Sequence, residues 1–136
     1  MKIAGSGDAP RRATVDPFKV ALTCLIVDDN ALFLEGATGL LKREGLDVVG
    51  VASNSAEAIQ LAVELRPDVT LVDIDLGDED GLELARRLSE TSKVILISTH
   101  SADDLAHLIT TSPALGFVPK TRLSAQAIRD LLEPAA

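Results

Sequence analysis

Five side chains with useful chemistry stand at the ends of apolar runs. Asp28 and Asp29 follow VALTCLIV, Asp73 closes DVTLVDI before its last residue, Ser98 ends KVILIS, and Lys120 ends LGFVPK. Carboxylates repel one another, and a buried carboxylate without a partner is costly. Several carboxylates with neither His nor Cys among them make a hard oxygen site. Mg²⁺ suits such a site, because it binds through one or two carboxylates and keeps waters for a phosphate ligand. The cation also relieves the repulsion.

The acids do not stop at Asp73. Asp75, Asp78, Glu79 and Asp80 follow at once. Asp78, Glu79 and Asp80 read as a solvated loop rather than as metal ligands. Asp75 is different, because residues i and i+2 of an extended segment point to the same side. It is expected to project beside Asp73, where an anionic donor must approach, and His100 is expected to sit similarly beyond Ser98. Asp75 and His100 are therefore rate-modulating candidates: the first repels an anionic donor, and the second offsets it when protonated.

These residues can meet only if the elements carrying them bring them to one edge. The runs Val20–Val27, Leu46–Ala52, Asp68–Ile74, Lys93–Ser98 and Leu115–Lys120 are apolar throughout, as strands buried on both faces are. Helical spacing fills the intervals. Phe33, Ala37, Leu40 and Leu41 share one face, with Gly45 as the C-terminal stop; Ala58, Leu61, Ala62 and Leu65 share another, opened by a capping box of Asn54 and Glu57. Arg66-Pro67 ends that helix. Leu84, Ala85 and Leu88 mark a third helix, Ser101 opens a fourth, and Ser124 caps a fifth whose inner face carries Ala125, Ile128, Leu131 and Leu132. Five strands alternating with five helices predict an α/β fold, with a doubly wound parallel sheet and right-handed crossovers. In such sheets the site lies at the carboxyl ends of the strands.

Composition narrows the function. The chain has 136 residues, 46% of them apolar, which suits one domain with one core of Leu, Val, Ile and Ala, since Trp and Tyr are absent. Residues 1–19, rich in Gly, Pro, Ala and charge, read as a flexible N-terminal tail, residues 20–133 as the domain, and residues 134–136 as its C-terminal end. The net charge of −8 is a poor match for a phosphate backbone, so direct nucleic-acid binding is not expected. Cys24 is the single cysteine, which excludes a disulfide within the chain and fits a reducing cytoplasm. No apolar run approaches the roughly 20 residues that cross a bilayer.

The blocks LIVDDN, PDVTLVDIDL followed by DGLEL, VILIS and GFVPK resemble, in order and spacing, the signature blocks of the receiver domain of two-component response regulators. The resemblance covers residues 20–133 and implies a flavodoxin-like fold of strand order 2-1-3-4-5, for which a receiver is a known example. It implies that Asp73 accepts a phosphoryl group from a sensor histidine kinase or phosphotransfer protein, with Mg²⁺ as cofactor. Asp28 and Asp29 match the acidic metal-binding pair, and Asp75 matches the position that lends its backbone carbonyl to the metal. Ser98 and Lys120 match the hydroxyl and the ammonium that bind phosphoryl oxygens. Phe117 matches the aromatic switch position that follows Ser98. The phosphorylated face is expected to act on a downstream protein partner or on an output domain beyond this chain. Catalysis is expected to extend only to the chain's own phosphorylation and dephosphorylation.

The match has departures. Leu76-Gly77 stands where the family often has Met-Pro, and Phe117 lacks the hydroxyl of a tyrosine, so any switch must act by packing. The Val118–Pro119 bond is open to either isomer, with trans favoured. Two other readings stay in view. Asp73-x-Asp75 with Ser98 and Lys120 also resembles haloacid-dehalogenase phosphatases, although that family places its Asp-x-Asp on an early strand. A phosphorylation-independent adaptor is the other.

Overall fold

The computed structural model describes residues 21–133. The expected tail, Val20 and residues 134–136 lie outside the described residues. In chain order the elements begin with β1 (Thr23–Val27), α1 (Ala31–Arg43), β2 (Asp47–Ala52), α2 (Ser55–Leu65) and β3 (Val69–Asp73). Next come β4 (Asp75–Leu76), β5 (Glu79–Asp80), α3 (Gly81–Leu88) and β6 (Lys93–Ser98). The last described elements are α4 (Ala102–Thr110), β7 (Gly116–Pro119) and α5 (Ala125–Leu132). Five strands form a parallel sheet of order β2-β1-β3-β6-β7, which is the expected 2-1-3-4-5 once the separate β4–β5 hairpin is set aside.

The strands read as continuous apolar runs because both faces of the sheet are covered. Cys24 and Ile26 of β1 point to a core shared with Leu34 and Leu41 of α1 and Ile128 of α5. Leu25 and Val27 point the other way, toward Ala58 and Ala62 of α2, Leu84 and Leu88 of α3, and Leu105 of α4. Two expected helix faces shift slightly. On α1 the buried residues are Leu34, Ala37 and Leu41, with Phe33 and Leu40 half-buried. On α2 Ala58 and Ala62 are buried, Leu61 is partly covered, and Leu65 is exposed near the helix end.

Helix starts follow the caps read from the sequence. Asn54, Ser101 and Ser124 accept the backbone N–H groups of Glu57, Asp104 and Ala127, as Asn30 and Asp80 do for Phe33 and Leu82. Each such cap contributes about 1 kcal/mol. The capping box needs one correction. Glu57 reaches past Asn54 and accepts the N–H and hydroxyl of Ser53, at 2.8 and 3.0 Å. Arg66 ends α2 in the left-handed region (φ 48°) ahead of Pro67, and Gly45 (φ 97°) follows the end of α1.

Strand limits also tighten. Of the expected strands, Ala21 and Leu22 precede β1 and Ile74 follows β3, although Leu22 O accepts Asp47 N–H at 2.9 Å and Ile74 N–H donates to Ile97 O at 3.0 Å; Asp68 precedes β3. Side chains replace the ladder at that point: Asp68 Oδ2 accepts Thr23 N–H at 2.8 Å, and Thr23 Oγ1 accepts Asp68 N–H at 2.8 Å. All peptide bonds among the described residues are trans, Val118–Pro119 included. Among the described residues no helix is long and apolar enough to cross a membrane.

Candidate functional site

The parallel sheet delivers the ends of β1, β3, β6 and β7 to one edge. Asp28 follows β1 and extends its ladder by one bond, its N–H donating to Ala52 O at 3.0 Å. Its carboxylate is fully buried. Oδ1 accepts the N–H of Asn30 at 2.8 Å, while Oδ2 has no aligned hydrogen-bond donor. What compensates Oδ2 is charge: Lys120 Nζ lies 2.6 Å away. Asp73, also buried, accepts Asp75 N–H on Oδ1 at 3.0 Å and Lys120 Nζ on Oδ2 at 3.1 Å. Lys120 reaches this point from the short 3₁₀ turn Lys120–Arg122 after β7, and its ammonium lies 4.4 Å from the centre of the Phe33 ring.

Electrostatics follow from the geometry. Burial pushes the Asp73 carboxyl up to about 6; the Asp75 N–H opposes the rise, the Asp28 charge adds to it, and Lys120 opposes it. For Lys120, burial favours the neutral amine, but the contacts with Asp28 and Asp73 outweigh it and its pKa is raised. One ammonium thus faces two buried carboxylates, with Asp29 beside them. Asp28, Asp29 and Asp73 each offer an oxygen, all within 4.8 Å of one another, so the cluster could hold a metal ion. The residues fit a hard cation: every donor is an oxygen, and three acids share one ammonium, which is the one cation beside the buried Asp28 Oδ2 among the described residues.

Residues 24–133 match the response regulator receiver domain family. The chain belongs to that family. It is 32% identical over 117 residues to the transcriptional regulatory protein LiaR of Bacillus subtilis (strain 168), covering 82% of this chain and 54% of LiaR. A putative transcriptional regulator of Pseudomonas aeruginosa is 35% identical over 99 residues, covering 71% of this chain and 48% of its own length. The chain therefore spans about half the length of these relatives. Among solved structures, the signal receiver domain of the putative response regulator NarL from Mycobacterium tuberculosis superposes with a TM-score of 0.73 at 26% identity, covering 85% of this chain and all of the other.

Around the acidic centre of this receiver, the remaining expected residues spread out. Ser98 is fully buried at the end of β6, and its Oγ accepts His100 N–H at 3.0 Å. Among the described residues no hydrogen bond joins Ser98 to Asp73 or Lys120. Phe117 is half-buried on the sheet face that packs toward α2, α3 and α4, paired in register with Leu96. The Asp75 and His100 side chains, both more than half exposed, meet across the site mouth with Oδ2 and Nε2 3.2 Å apart.

Asp78, Glu79 and Asp80 are exposed and lie outside the cluster of Asp28, Asp29 and Asp73, as expected, but the stretch that carries them is a hairpin rather than a loop. Asp75–Leu76 and Glu79–Asp80 pair as a hairpin around Gly77-Asp78. Gly77 takes φ 62° at the first turn position, where two-residue hairpins of one common kind need glycine. A Cβ there would lie 3.0 Å from Asp29 Oδ2. Asp80 caps α3, and Glu79 accepts the N–H of Ser55 at 2.7 Å. At Gly81 a Cβ would sit 2.0 Å from Asp73 O and 2.7 Å from Ile74 O, so the start of α3 approaches the end of β3 as closely as glycine alone permits. Sequence reasoning missed Phe33 as the ring beneath Lys120, and Glu79 and Gly81 as supports of the site. For Gly81 a signal existed, since an Asp-Gly pair opening an apolar helical pattern marks a close turn; for Phe33 and Glu79 none did.

Proposed function

We propose that Asp73 is the phosphoacceptor of this receiver. The observation that carries the reading is the Asp73 carboxylate, buried at a strand end between one ammonium and a cluster of acids. An Asp73 oxygen attacks phosphorus, the P–N bond of a phosphohistidine donor breaks, and the imidazole leaves with the electron pair and takes up a proton. The product is an acyl phosphate, and attack by water later returns the carboxylate and inorganic phosphate. Such transfers depend on in-line placement and neutralised equatorial oxygens more than on covalent assistance.

Asp28, Asp29, Asp73 and the backbone carbonyl of Asp75 would hold Mg²⁺, which when bound supplies positive charge to the phosphoryl oxygens. Lys120 neutralises a further oxygen, and the contact with Asp28 keeps its ammonium in place before and after transfer. The Ser98 hydroxyl donates to a third oxygen. Turning toward the phosphoryl group would cost its present contact with His100 N–H, shift the segment after β6, and open space that the half-buried Phe117 fills. That repacking alters the face near β6 and β7, a population shift between two arrangements. The donor is a sensor histidine kinase or phosphotransfer protein in the cytoplasm. The altered face acts on a protein partner or on a further domain in cis, and the acidic chain itself does not bind nucleic acid. Catalysis is confined to this cycle on Asp73.

Asp75 and His100 set the rate at the mouth. Their contact supports the reading that Asp75 repels a small anionic donor and His100 offsets it. Asp75→Asn is expected to speed phosphorylation by acetyl phosphate several-fold, with a smaller effect for a docked kinase; His100→Ala, which removes the partner of Asp75, is expected to slow it. An unchanged or slower rate in Asp75→Asn removes the electrostatic role. The deciding experiment for the site is acetyl phosphate labelling of Asp73→Asn, followed by mass spectrometry. The substitution keeps the volume and removes the nucleophile, so acid-labile label should vanish while circular dichroism stays native. Full labelling of the variant removes Asp73 from the role.

A further inference from the structure

The β4–β5 hairpin has two residue pairs, Asp75 with Asp80 and Leu76 with Glu79. A ladder this short does not hold itself in water. Leu76, 2% exposed, anchors one side in the core. The other anchor is polar. Glu79 Oε1 accepts the backbone N–H of Ser55 at 2.7 Å, across 24 residues of sequence. Ser55 is the first residue of α2, so its N–H has no partner within the helix. The local cap leaves this donor free for Glu79, since Asn54 takes Glu57 N–H and Glu57 takes Ser53 N–H.

The same hairpin touches two acids of the site. Asp75 N–H donates to Asp73 Oδ1, and the space a Gly77 Cβ would need lies 3.0 Å from Asp29 Oδ2. We propose that Glu79 is a positioning residue for the cation site: by gripping Ser55 N–H it holds the hairpin where Asp75 orients Asp73 and Gly77 leaves room for Asp29. The inference rests on the reading of Asp28, Asp29 and Asp73 as a Mg²⁺ site.

The grip can be released from either side. Ser55→Pro deletes the N–H but retains the Glu79 charge. Proline is accepted at a first helical position, and Asn54 before it is already extended (φ −155°, ψ 172°). Glu79→Ala deletes the acceptor, and Glu79→Gln keeps an acceptor without the charge. The measurements are Mg²⁺ titration of the full chain by calorimetry and thermal unfolding of the metal-free protein. Ser55→Pro and Glu79→Ala are each expected to weaken Mg²⁺ binding about three- to five-fold, the net scale of one ordinary hydrogen bond, since Glu79 is exposed. The double variant should bind no more weakly than either single, because both remove one interaction. Glu79→Gln should recover most of the affinity, and the melting temperature of Ser55→Pro should not fall. Unchanged affinity in Ser55→Pro, or losses that add in the double variant, overturns the inference while leaving the Mg²⁺ site standing. A wild-type chain that takes up no Mg²⁺ overturns the site and the inference together.

Discussion

Asp68 and Asp28 both tie β1 to its surroundings, one at each end of the sheet. At the amino end Asp68 is exposed and hydrogen-bonded: its Oδ2 accepts Thr23 N–H and Oγ1–H at 2.8 and 3.1 Å, and Thr23 Oγ1 accepts the Asp68 N–H. At the carboxyl end Asp28 is buried, and its Oδ2 has an ammonium beside it but no aligned hydrogen bond. The first aspartate finishes a strand pair. The second belongs to a set of acids that the fold holds together against their repulsion. The difference shows where the free energy of burial has been directed: toward closure at one end and toward a reactive, cation-seeking edge at the other.

The strongest way to break the comparison is at the close approach under Asp73. Gly81→Ala would press a methyl into two backbone carbonyls that cannot yield as a side chain does. It is expected to destabilise the protein by about 3 kcal/mol or more and to lower phosphorylation, read by denaturant unfolding and acetyl phosphate labelling. Near-wild-type stability would mean that α3 can start farther from β3.

A second test uses pH. Asp73 titrates higher in the folded protein, at about 6, than its ordinary value of 3.8. Between those values the folded state therefore binds more protons than the unfolded state, and metal-free stability falls as pH rises from about 4 to 6. The expected loss is on the order of 1–2 kcal/mol once water at the site mouth is allowed for. Asp73→Asn should abolish this component and be the more stable protein at pH 7. Chemical denaturation in chelator at a series of pH values measures it, and parallel curves for the two proteins would count against a strained Asp73.

The smallest effect sharpens the contrast directly. Asp68→Ala should cost about 1 kcal/mol through lost hydrogen bonds and leave Mg²⁺ affinity unchanged. Asp29→Asn should do the reverse, weakening Mg²⁺ at least about tenfold with little effect on metal-free stability. Since Trp and Tyr are absent, calorimetry or NMR shifts serve better than fluorescence.

Much of the fold was legible because buried parallel strands have a loud signature. Apolar runs such as VILIS and LIV cannot be solvated on either face, and caps at Asn54, Ser101 and Ser124 marked helix starts that the structure keeps. The helix faces were read less well. Phe33 and Leu40 fit the spacing as well as Leu34 does, and only the direction of β1 and α5 beneath α1 decides which of them is covered. The hairpin at Gly77 was missed for a related reason. Its strands are two residues each, too short for any alternation to register, and nothing local marks exposed Glu79 as the partner of Ser55.

The order of residue types along this chain determined that Asp28, Asp29, Asp73, Ser98 and Lys120 would share one edge, since a parallel sheet sends every strand's carboxyl end the same way. Tertiary structure decided what that edge is like. It set Lys120 between Asp28 and Asp73 rather than in water, joined Asp75 to His100, and strung Glu79 to the start of α2. Strand direction is a one-dimensional property that local sequence can encode. Side-chain distances of about 3 Å depend on how separate elements pack, and no stretch of sequence carries that information alone.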